Sequence, residues 1–181
     1  MEIRLRHCVI RPWRYEDRAS LVVHANDERI ARQLRDIFPN PYTAKDAEAW
    51  LSHATSAGRR LAFALEVDGE AAGGIGLIPG EDVHRLTAQV GYWLGVAHWG
   101  RGIVTEALGA FSEHLLGERG FLRLEAGVYA SNPASARVLE KCGYHRESVQ
   151  RRAAVKNGQL LDMWLYVRLA PDDVVARSPL A

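Results

Sequence analysis

The sequence predicts an α/β or α+β fold built on one mixed sheet with helices packed against it. Three observations support this prediction. Apolar residues alternate with polar or small ones in several segments, which indicates strands. An apolar stripe at four-residue spacing indicates a helix over 102–117. That helix and a second one at 133–142 each follow a strand, as crossover connections do.

The N-terminal part is predicted to contain one strand and several helical segments. They are a strand at 7–11, helical turns over 15–34 with a break near Asn26-Asp27, and a helix that ends near Gly58. Thr43 suits the N-cap of that helix because its hydroxyl can accept from the first turn. The two prolines in 38–42 fix the backbone ahead of it, so this run is expected to be a rigid loop.

The middle of the chain is predicted to consist of strands. They cover 61–67, 71–78 and 86–94. Asp68-Gly69 is a strong hairpin signal between the first two. Pro79-Gly80 closes the second.

The last third of the chain alternates helices with strands. The predicted elements are the helix at 102–117, a strand at 122–128, the helix at 133–142, an extended segment at 144–154 and a strand at 160–169. Pro133 at the first helical position favours a helix start there, because the missing N–H would have no partner in any case. The order gives about seven strands.

Length and composition bound the class of protein. A chain of 181 residues suits one domain, which we expect over 1–170 with a loose tail at 171–181. Hydrophobic residues make up 48% and charged residues 25%, which excludes long disordered and coiled-coil structures. The formal net charge of +1 argues against a nucleic-acid partner bound through bulk charge.

The composition also argues against a metal site and a membrane segment. There are two cysteines, and no two of the seven histidines are three or four residues apart, so a structural zinc site is not expected. The first 25 residues carry five arginines and no apolar run, so no signal peptide is expected. No stretch is long and apolar enough to span a membrane. A cytoplasmic location is the default expectation.

The run 94–107 carries the strongest functional signal. A strand leads into a loop containing Gly100 and Gly102, and the loop opens directly into a helix. The first N–H groups of a helix lack intrahelical partners and lie at the positive end of its dipole, so they suit a phosphate. The alternative is a tight corner that glycine merely eases. The run lacks the Gly-Lys-Ser/Thr of a P-loop and fails the dinucleotide fingerprint at Thr105.

Three blocks of sequence resemble the GNAT acetyltransferases, and within them the RimJ/RimL-type branch. The first is 89–94 followed by Trp99-Gly100-Arg101-Gly102 and Thr105-Glu106-Ala107. The second runs from Asn132-Pro133 to Cys142-Gly143-Tyr144, and the third is Ile10-Arg11-Pro12-Trp13 with Glu16-Asp17. The blocks occur in the family's order over roughly residues 7–169.

The resemblance implies a mostly antiparallel sheet, splayed between its fourth and fifth strands, that holds acetyl-CoA in the gap. The cofactor residues it implies are Leu94, Gly95 and Val96 for the pantetheine arm, the backbone of Gly100, Arg101, Gly102, Ile103 and Val104 for the pyrophosphate, and Thr105, Asn132 and Arg137. Asn132 could also cap its helix, with or without a contact to CoA, and Arg137 could instead lie on a solvated helix face. Ala97 stands where the family often has Gln or Arg, so one side-chain contact is lost.

The resemblance leaves the catalytic proton transfers open. Ser135 corresponds to the position proposed to protonate the CoA thiolate, with a small helix residue packed on the sheet as the alternative. Tyr129 is a second candidate for that step, with a packing aromatic as the alternative. Many relatives carry a glutamate general base where this chain has Gln89, and an amide cannot take that role. Glu106 is a candidate base, with helix-end electrostatics and structural hydrogen bonding as the alternative.

The expected activity is acetyl-CoA-dependent transfer to a primary amine, of a small molecule or a protein N-terminus. The predicted acceptor-site residues are Trp13, Phe38, Tyr42, Gln89, Trp93 and Asp162, with core packing as the alternative for the aromatic ones. Transfer of another acyl group such as succinyl, and a non-catalytic acyl-CoA-binding module, stay open as alternatives. A monomer or a homodimer without nucleic acid, membrane or metal is expected.

Overall fold

The structure is a computed structural model that describes residues 1–56 and 61–172. Within these residues the strands are β1 (Ile3–Arg4), β2 (Val9–Pro12), β3 (Ala62–Val67), β4 (Glu70–Pro79), β5 (Thr87–Leu94), β6 (Arg123–Tyr129), β7 (His145–Lys156) and β8 (Gln159–Leu169). The helices are α1 (Arg18–Ala25), α2 (Glu28–Ala31), α3 (Ala44–Thr55), α4 (Ile103–Gly117) and α5 (Pro133–Lys141). Short 3₁₀ turns lie at Tyr15–Asp17, Asp82–His84 and Val96–His98.

The strands form one mixed sheet, as the sequence predicts. Their order is β1-β2-β3-β4-β5-β6-β8-β7. The pairs from β1 to β4 and the pairs β6–β8 and β8–β7 are antiparallel, and β5 with β6 is parallel. The sheet has eight strands rather than about seven. The added strand is β1, whose two residues pair with Val9 and Ile10 and are too few to show an alternating pattern.

The parallel pair β5–β6 is joined only near its start among the described residues. Its register runs from Thr87 opposite Arg123 to Gln89 opposite Glu125. Both strands then continue, β5 to Leu94 and β6 to Tyr129. This short register falls where the resemblance implies a splayed sheet.

Local signals fix the element boundaries. Thr43 caps α3 and forms a capping box with Asp46, whose carboxylate accepts from the Thr43 amide at 2.8 Å. Asp68 and Gly69 both have positive φ, at 52° and 87°, which is the backbone of a two-residue hairpin turn. Pro12 lies inside β2, so the predicted strand at 7–11 is shifted by a residue or two. The end of α3 is Thr55, and Gly58 lies outside the described residues.

The chain divides into two compact units. The first comprises Met1–Gly76 and Gly91–Ala107, and the second comprises Leu77–Val90 and Leu108–Ala181. The division falls within β4, β5 and α4, so neither unit is a separate run of sequence. The single domain over 1–170 stays a prediction, and most of the predicted tail at 171–181 lies outside the described residues.

Each unit has its own apolar core. In the first unit α1 and α3 contribute Leu21, Ala25, Ala47 and Leu51, which are at most 1% exposed. In the second unit Phe111, Leu124, Leu139 and Val167 are fully buried. Burial of such side chains is the main stabilising contribution to a domain of this size.

A buried ion cluster lies in the first unit. Arg11 is 3% exposed. Its two terminal nitrogens donate to the Asp17 carboxylate at 2.7 and 2.8 Å, and its Nε donates to Glu66. The hydrogen bond that Arg11 donates to Asp17, followed by the one it donates to Glu66, raises the pKa of Arg11 in spite of burial. The cluster ties β2 to β3 and to the turn that leads into α1.

None of the helices in the described residues has the length and apolarity needed to cross a membrane.

Candidate active site

The end of β5 is held in place by two hydrogen bonds within the first unit. The Gly95 amide donates to the Ala72 carbonyl at 2.8 Å. The indole Nε1 of Trp99 donates to the Leu94 carbonyl at 2.8 Å, although 47% of the Trp99 residue is exposed. Trp99 therefore fixes the loop against the strand that precedes it. Sequence reasoning missed this role, because nothing in the spacing connects residues 94 and 99.

The loop glycines adopt the backbone that glycine favours. Gly100 and Gly102 have φ values of 75° and 77°, in the left-handed region. A Cβ built on either residue would meet no atom of the described residues within 4 Å. The space beside both glycines is therefore open to a ligand, which could approach the backbone directly.

The start of α4 supplies hydrogen-bond donors to that open space. Its hydrogen-bond ladder begins with the Glu106 amide, which donates to the Gly102 carbonyl at 3.0 Å. The amides of Ile103 and Val104 precede the ladder, and the helix runs for 15 residues to Gly117. Such an N-terminus carries partial positive charge. The geometry fits a phosphate group, as the sequence analysis predicts from the same residues.

The Arg101 side chain is held on the surface of the first unit. Its Nη1 lies 3.3 Å from the Asp68 carboxylate and 3.0 Å from Nδ1 of His98. An arginine can only donate, so Nδ1 of His98 accepts and the ring is neutral. Burial, and then the charges of His24 and Arg101, lower the pKa of His98, which agrees with a neutral ring. The backbone of Arg101, which is the part implied by the resemblance, is not engaged by these contacts.

Glu106 is bound by the N-terminal segment. Its carboxylate accepts from the amides of Arg6 and His7 at 2.9 and 3.0 Å and contacts His7 Nδ1 at 2.9 Å. Burial acts to raise the pKa of Glu106, but the hydrogen bonds from Arg6 and His7 outweigh it and lower the pKa. A carboxylate with a lowered pKa is a weak proton acceptor. These contacts favour the structural alternative over the general-base role.

We expect Glu106→Gln to destabilise the protein by about 1–2 kcal/mol, because the amide cannot accept from both backbone donors. We expect the pH dependence of kcat to stay the same. The pKa of Glu106 is lowered in the folded state from an ordinary value of 4.5. Its stabilising contribution is therefore full above pH 4.5 and is lost as the pH falls through the folded-state value, so the difference between the two proteins should shrink in acid.

Urea unfolding across pH and steady-state kinetics check this prediction. Glu113→Gln is the matched control, since Glu113 lies on the same helix with an exposed side chain paired to Arg168. A fall in kcat beyond 100-fold for Glu106→Gln, with stability unchanged, would instead make Glu106 the general base.

The second unit places two predicted catalytic residues beside Asn132. The Asn132 side chain caps α5 by accepting from the Ser135 amide at 3.1 Å. The backbone N–H of Asn132 donates to the backbone carbonyl of Tyr129 at 2.8 Å. Ser135 and Tyr129 are thus connected through one residue, and both are half-buried. Arg137 lies exposed further along α5, and its contact with CoA stays a prediction.

Asp162 has a structural partner that the sequence does not reveal. Its carboxylate accepts from the Arg152 amide at 2.8 Å. Arg152 has a φ of 51°, and the register of β7 against β8 shifts between Gln150 and Ala154. Asp162 therefore supports a bulge in β7. Its contact with the acceptor stays a prediction, as does that of Gln89, which is exposed on β5.

The predicted aromatic wall divides into core and partly exposed residues. Trp13 and Tyr42 are 4% and 5% exposed and belong to the core of the first unit, so burial assigns them to packing. Phe38 and Trp93 are partly buried against the same core, with ring centroids 5.6 Å apart. An acceptor contact stays a prediction for these two. Among the described residues no group of His, Cys, Asp or Glu could hold a metal ion.

Comparison with known proteins identifies similar sequences and structures. A family model described as Acetyltransferase (GNAT) domain matches residues 7–145. The chain is 42% identical over 87 residues to "Probable N-acetyltransferase YjcK" of Bacillus subtilis, covering 48% of each chain. It is 32% identical over 97 residues to "Ribosomal-protein-serine acetyltransferase" of Escherichia coli, covering 52% of this chain and 54% of that one. The matched parts span about half the length of these curated relatives.

The fold is also similar to solved structures. The "RimL- Ribosomal L7/L12 alpha-N-protein acetyltransferase in complex with Coenzyme A" aligns with a TM-score of 0.83 at 19% identity, over 94% of this chain and 98% of that one. At this identity the likeness establishes the fold alone.

Proposed function

Because the chain belongs to the GNAT acetyltransferase family, we propose that it transfers the acetyl group of acetyl-CoA to a primary amine. The observation that carries this proposal is the loop at 100–104. Two left-handed glycines beside open space lead directly into the N-terminus of α4. That combination suits the pyrophosphate of CoA through backbone donors, without a cluster of lysines or arginines.

The roles proposed for the chain's residues follow from where they lie. The amides of Gly102, Ile103 and Val104 bind the pyrophosphate. The backbone at Leu94–Val96, which Trp99 and the Gly95 amide hold in place, orients the pantetheine arm. When bound, acetyl-CoA supplies an activated thioester as the acetyl donor. Buried Ile103 anchors the first turn of α4, so the donors keep a fixed orientation.

Deprotonation of the amine does not depend on Gln89 or Glu106 as a general base. Gln89 cannot accept a proton as a general base, and the Glu106 carboxylate is engaged by Arg6 and His7. We therefore propose that the amine binds in its neutral form or loses its proton to water. The rate should then increase with pH up to the pKa of the acceptor amine.

The departing thiolate is proposed to receive its proton from Tyr129 or Ser135, which both form hydrogen bonds with Asn132. We expect Tyr129→Phe to lower kcat about 100-fold and to change the KM for acetyl-CoA less than twofold, because a proton donor acts in the transition state and not in cofactor binding. Steady-state kinetics with saturating amine measure both constants.

The control for this substitution is Tyr15→Phe, which removes the hydroxyl of a tyrosine that is 61% exposed. If kcat of Tyr129→Phe stays within twofold of the unsubstituted protein, Tyr129 is a packing residue and Ser135→Ala becomes the test of the donor.

A thiol-release assay tests the proposed function. The full chain is mixed with acetyl-CoA and a panel of small-molecule amines and peptides, and free CoA thiol is measured. Release that depends on one class of amine is the expected result. Release with succinyl-CoA but not with acetyl-CoA would indicate that the chain transfers an acyl group larger than acetyl. Tight CoA binding without release for any amine would indicate a binding module and overturn the enzymatic proposal.

A further inference from the structure

The β7–β8 hairpin carries an excess of positive charge in the second unit. β7 contains Arg146, Arg151, Arg152 and Lys156 against a single acidic residue, Glu147. Glu147 is engaged by Arg123, whose terminal nitrogens lie 2.9 and 2.5 Å from it. On β8 the Asp162 carboxylate accepts from a backbone amide. The acidic groups of this hairpin are therefore already bound to partners.

Two of these arginines have no anionic partner in the described part of the chain. Arg151 and Arg152 are exposed, and neither forms an ion pair with any of the described residues. Arg146 differs from them, because its guanidinium lies 5.3 Å from the centre of the Trp164 ring. The local excess stands out in a chain whose overall net charge is +1.

The backbone at Arg152 is held in a strained form. A φ of 51° is uncommon for a residue other than glycine. The bulge at this point leaves the residues between Gln150 and Ala154 outside the regular pairing with β8. Bulges redirect side chains, and they end the pairing of an edge strand. Here the bulge places Arg151 and Arg152 outside the regular β7–β8 pairing. The Asp162 carboxylate holds the bulge by accepting from the Arg152 amide.

Hydrogen bonds connect the bulge to the end of β6. The Ala130 amide donates to the Asp162 carbonyl at 2.9 Å, while the Asp162 side chain accepts from Arg152. Tyr129 directly precedes Ala130, and the register places it opposite Met163, which is itself opposite Gln150. At the usual strand spacing, the bulge is about 10 Å from the backbone of β6. The exposed arginines thus lie two strands from the residue proposed to act on the thiolate.

We propose that Arg151 and Arg152 bind an acidic segment of a peptide acceptor. This inference rests on the proposed function, because it specifies the class of amine that the chain acetylates. β7 is the last strand in the sheet order, so an extended peptide could lie along it without displacing another strand. Carboxylates a few residues after the reacting N-terminus would reach the two guanidinium groups. No covalent chemistry is assigned to the arginines.

Binding of designed peptides tests the proposal separately from turnover. The probes are three fluorescent hexapeptides with the free N-terminus Ser-Ala, followed by four Glu, four Gln or four Lys. Their affinities for the full chain in the presence of CoA are measured by anisotropy. The Glu peptide should bind about fivefold more tightly than the Gln peptide, as two exposed ion pairs would give. The Lys peptide should bind most weakly, and 0.5 M NaCl should abolish the differences.

The double substitution Arg151→Gln with Arg152→Gln should reduce the Glu-to-Gln affinity ratio to about one. It keeps the Arg152 amide that Asp162 binds, so the bulge is preserved. The matched control is Arg85→Gln with Arg119→Gln, which removes two exposed arginines of the same unit and changes the net charge equally. The control should keep the fivefold ratio.

The outcomes separate the two proposals. Equal affinity for Glu and Gln peptides, or a ratio that survives the Arg151/Arg152 double substitution, overturns the acidic-acceptor proposal. An oligouridine that displaces the Glu peptide and binds at least as tightly would assign the surface to nucleic acid and also overturn it. A fivefold ratio that the double substitution removes supports the binding of an acidic segment by Arg151 and Arg152, even if no peptide is acetylated. In that case the proposed function alone fails.

Discussion

Replacing Gly102 with aspartate is expected to weaken acetyl-CoA binding about 1000-fold. The Cβ would occupy the open space beside the loop, since no atom in residues 1–56 or 61–172 lies within 4 Å of it. The carboxylate would add a negative charge where the pyrophosphate is proposed to bind. Two like charges about 4 Å apart repel by roughly 4 kcal/mol at the effective dielectric constant of a protein surface, which corresponds to this factor. Isothermal titration calorimetry with acetyl-CoA measures it.

Two further variants separate charge from backbone strain. Gly102→Ala adds the Cβ without the charge, and it should weaken binding about tenfold. Gly158→Asp places an aspartate in the β7–β8 turn, at a glycine with nearly the same φ of 75° and equally open surroundings. It should leave acetyl-CoA affinity unchanged while costing about 1–2 kcal/mol of stability from left-handed strain. Unchanged cofactor binding in Gly102→Asp would refute the placement of the pyrophosphate.

Replacing Arg11 with leucine is expected to destabilise the protein by about 3–5 kcal/mol. The substitution leaves the carboxylates of Asp17 and Glu66 without their shared cation. Asp17 is 6% exposed, so water cannot replace the lost partner. Removing one partner of a buried ion pair costs this much, because the charge of the remaining partner is left uncompensated. The midpoint of urea unfolding measures the loss.

The control is Arg29→Leu. Arg29 forms an ion pair with Asp27 at 2.6 Å, but its side chain is 57% exposed. Its removal should change the stability far less than Arg11→Leu does, because water screens an exposed ion pair. Similar losses for Arg11→Leu and Arg29→Leu would contradict the assignment of Arg11 to a buried cluster.

Local signals in the sequence predicted most of the fold. Thr43 and Asn132 cap α3 and α5 as expected, and Asp68-Gly69 forms the predicted hairpin turn. Each of these signals depends on residues only a few positions apart in the chain, so a single sequence is enough to recognise it. The two residues of β1 show no period, and their place depends on pairing with β2.

The candidate site was predictable where it depends on backbone conformation. Gly100 and Gly102 indicate left-handed φ from residue type alone, and the helix that follows was visible in the apolar stripe. The partners of Glu106 were not predictable, because Arg6 and His7 lie about a hundred residues away in the chain. The Asp162–Arg152 contact was not predictable for another reason. The bulge places an arginine at a positive φ, and an arginine in the sequence does not indicate that conformation.

The backbone amides at the start of α4 are proposed to bind the pyrophosphate of acetyl-CoA. Backbone amide chemical shifts and hydrogen exchange of the ¹⁵N-labelled full chain, with and without acetyl-CoA, test it directly. We expect large shifts and slower exchange for Gly102, Ile103 and Val104 on saturation with the ligand. Bound acetyl-CoA that leaves these three amides unshifted and unprotected would contradict the claim.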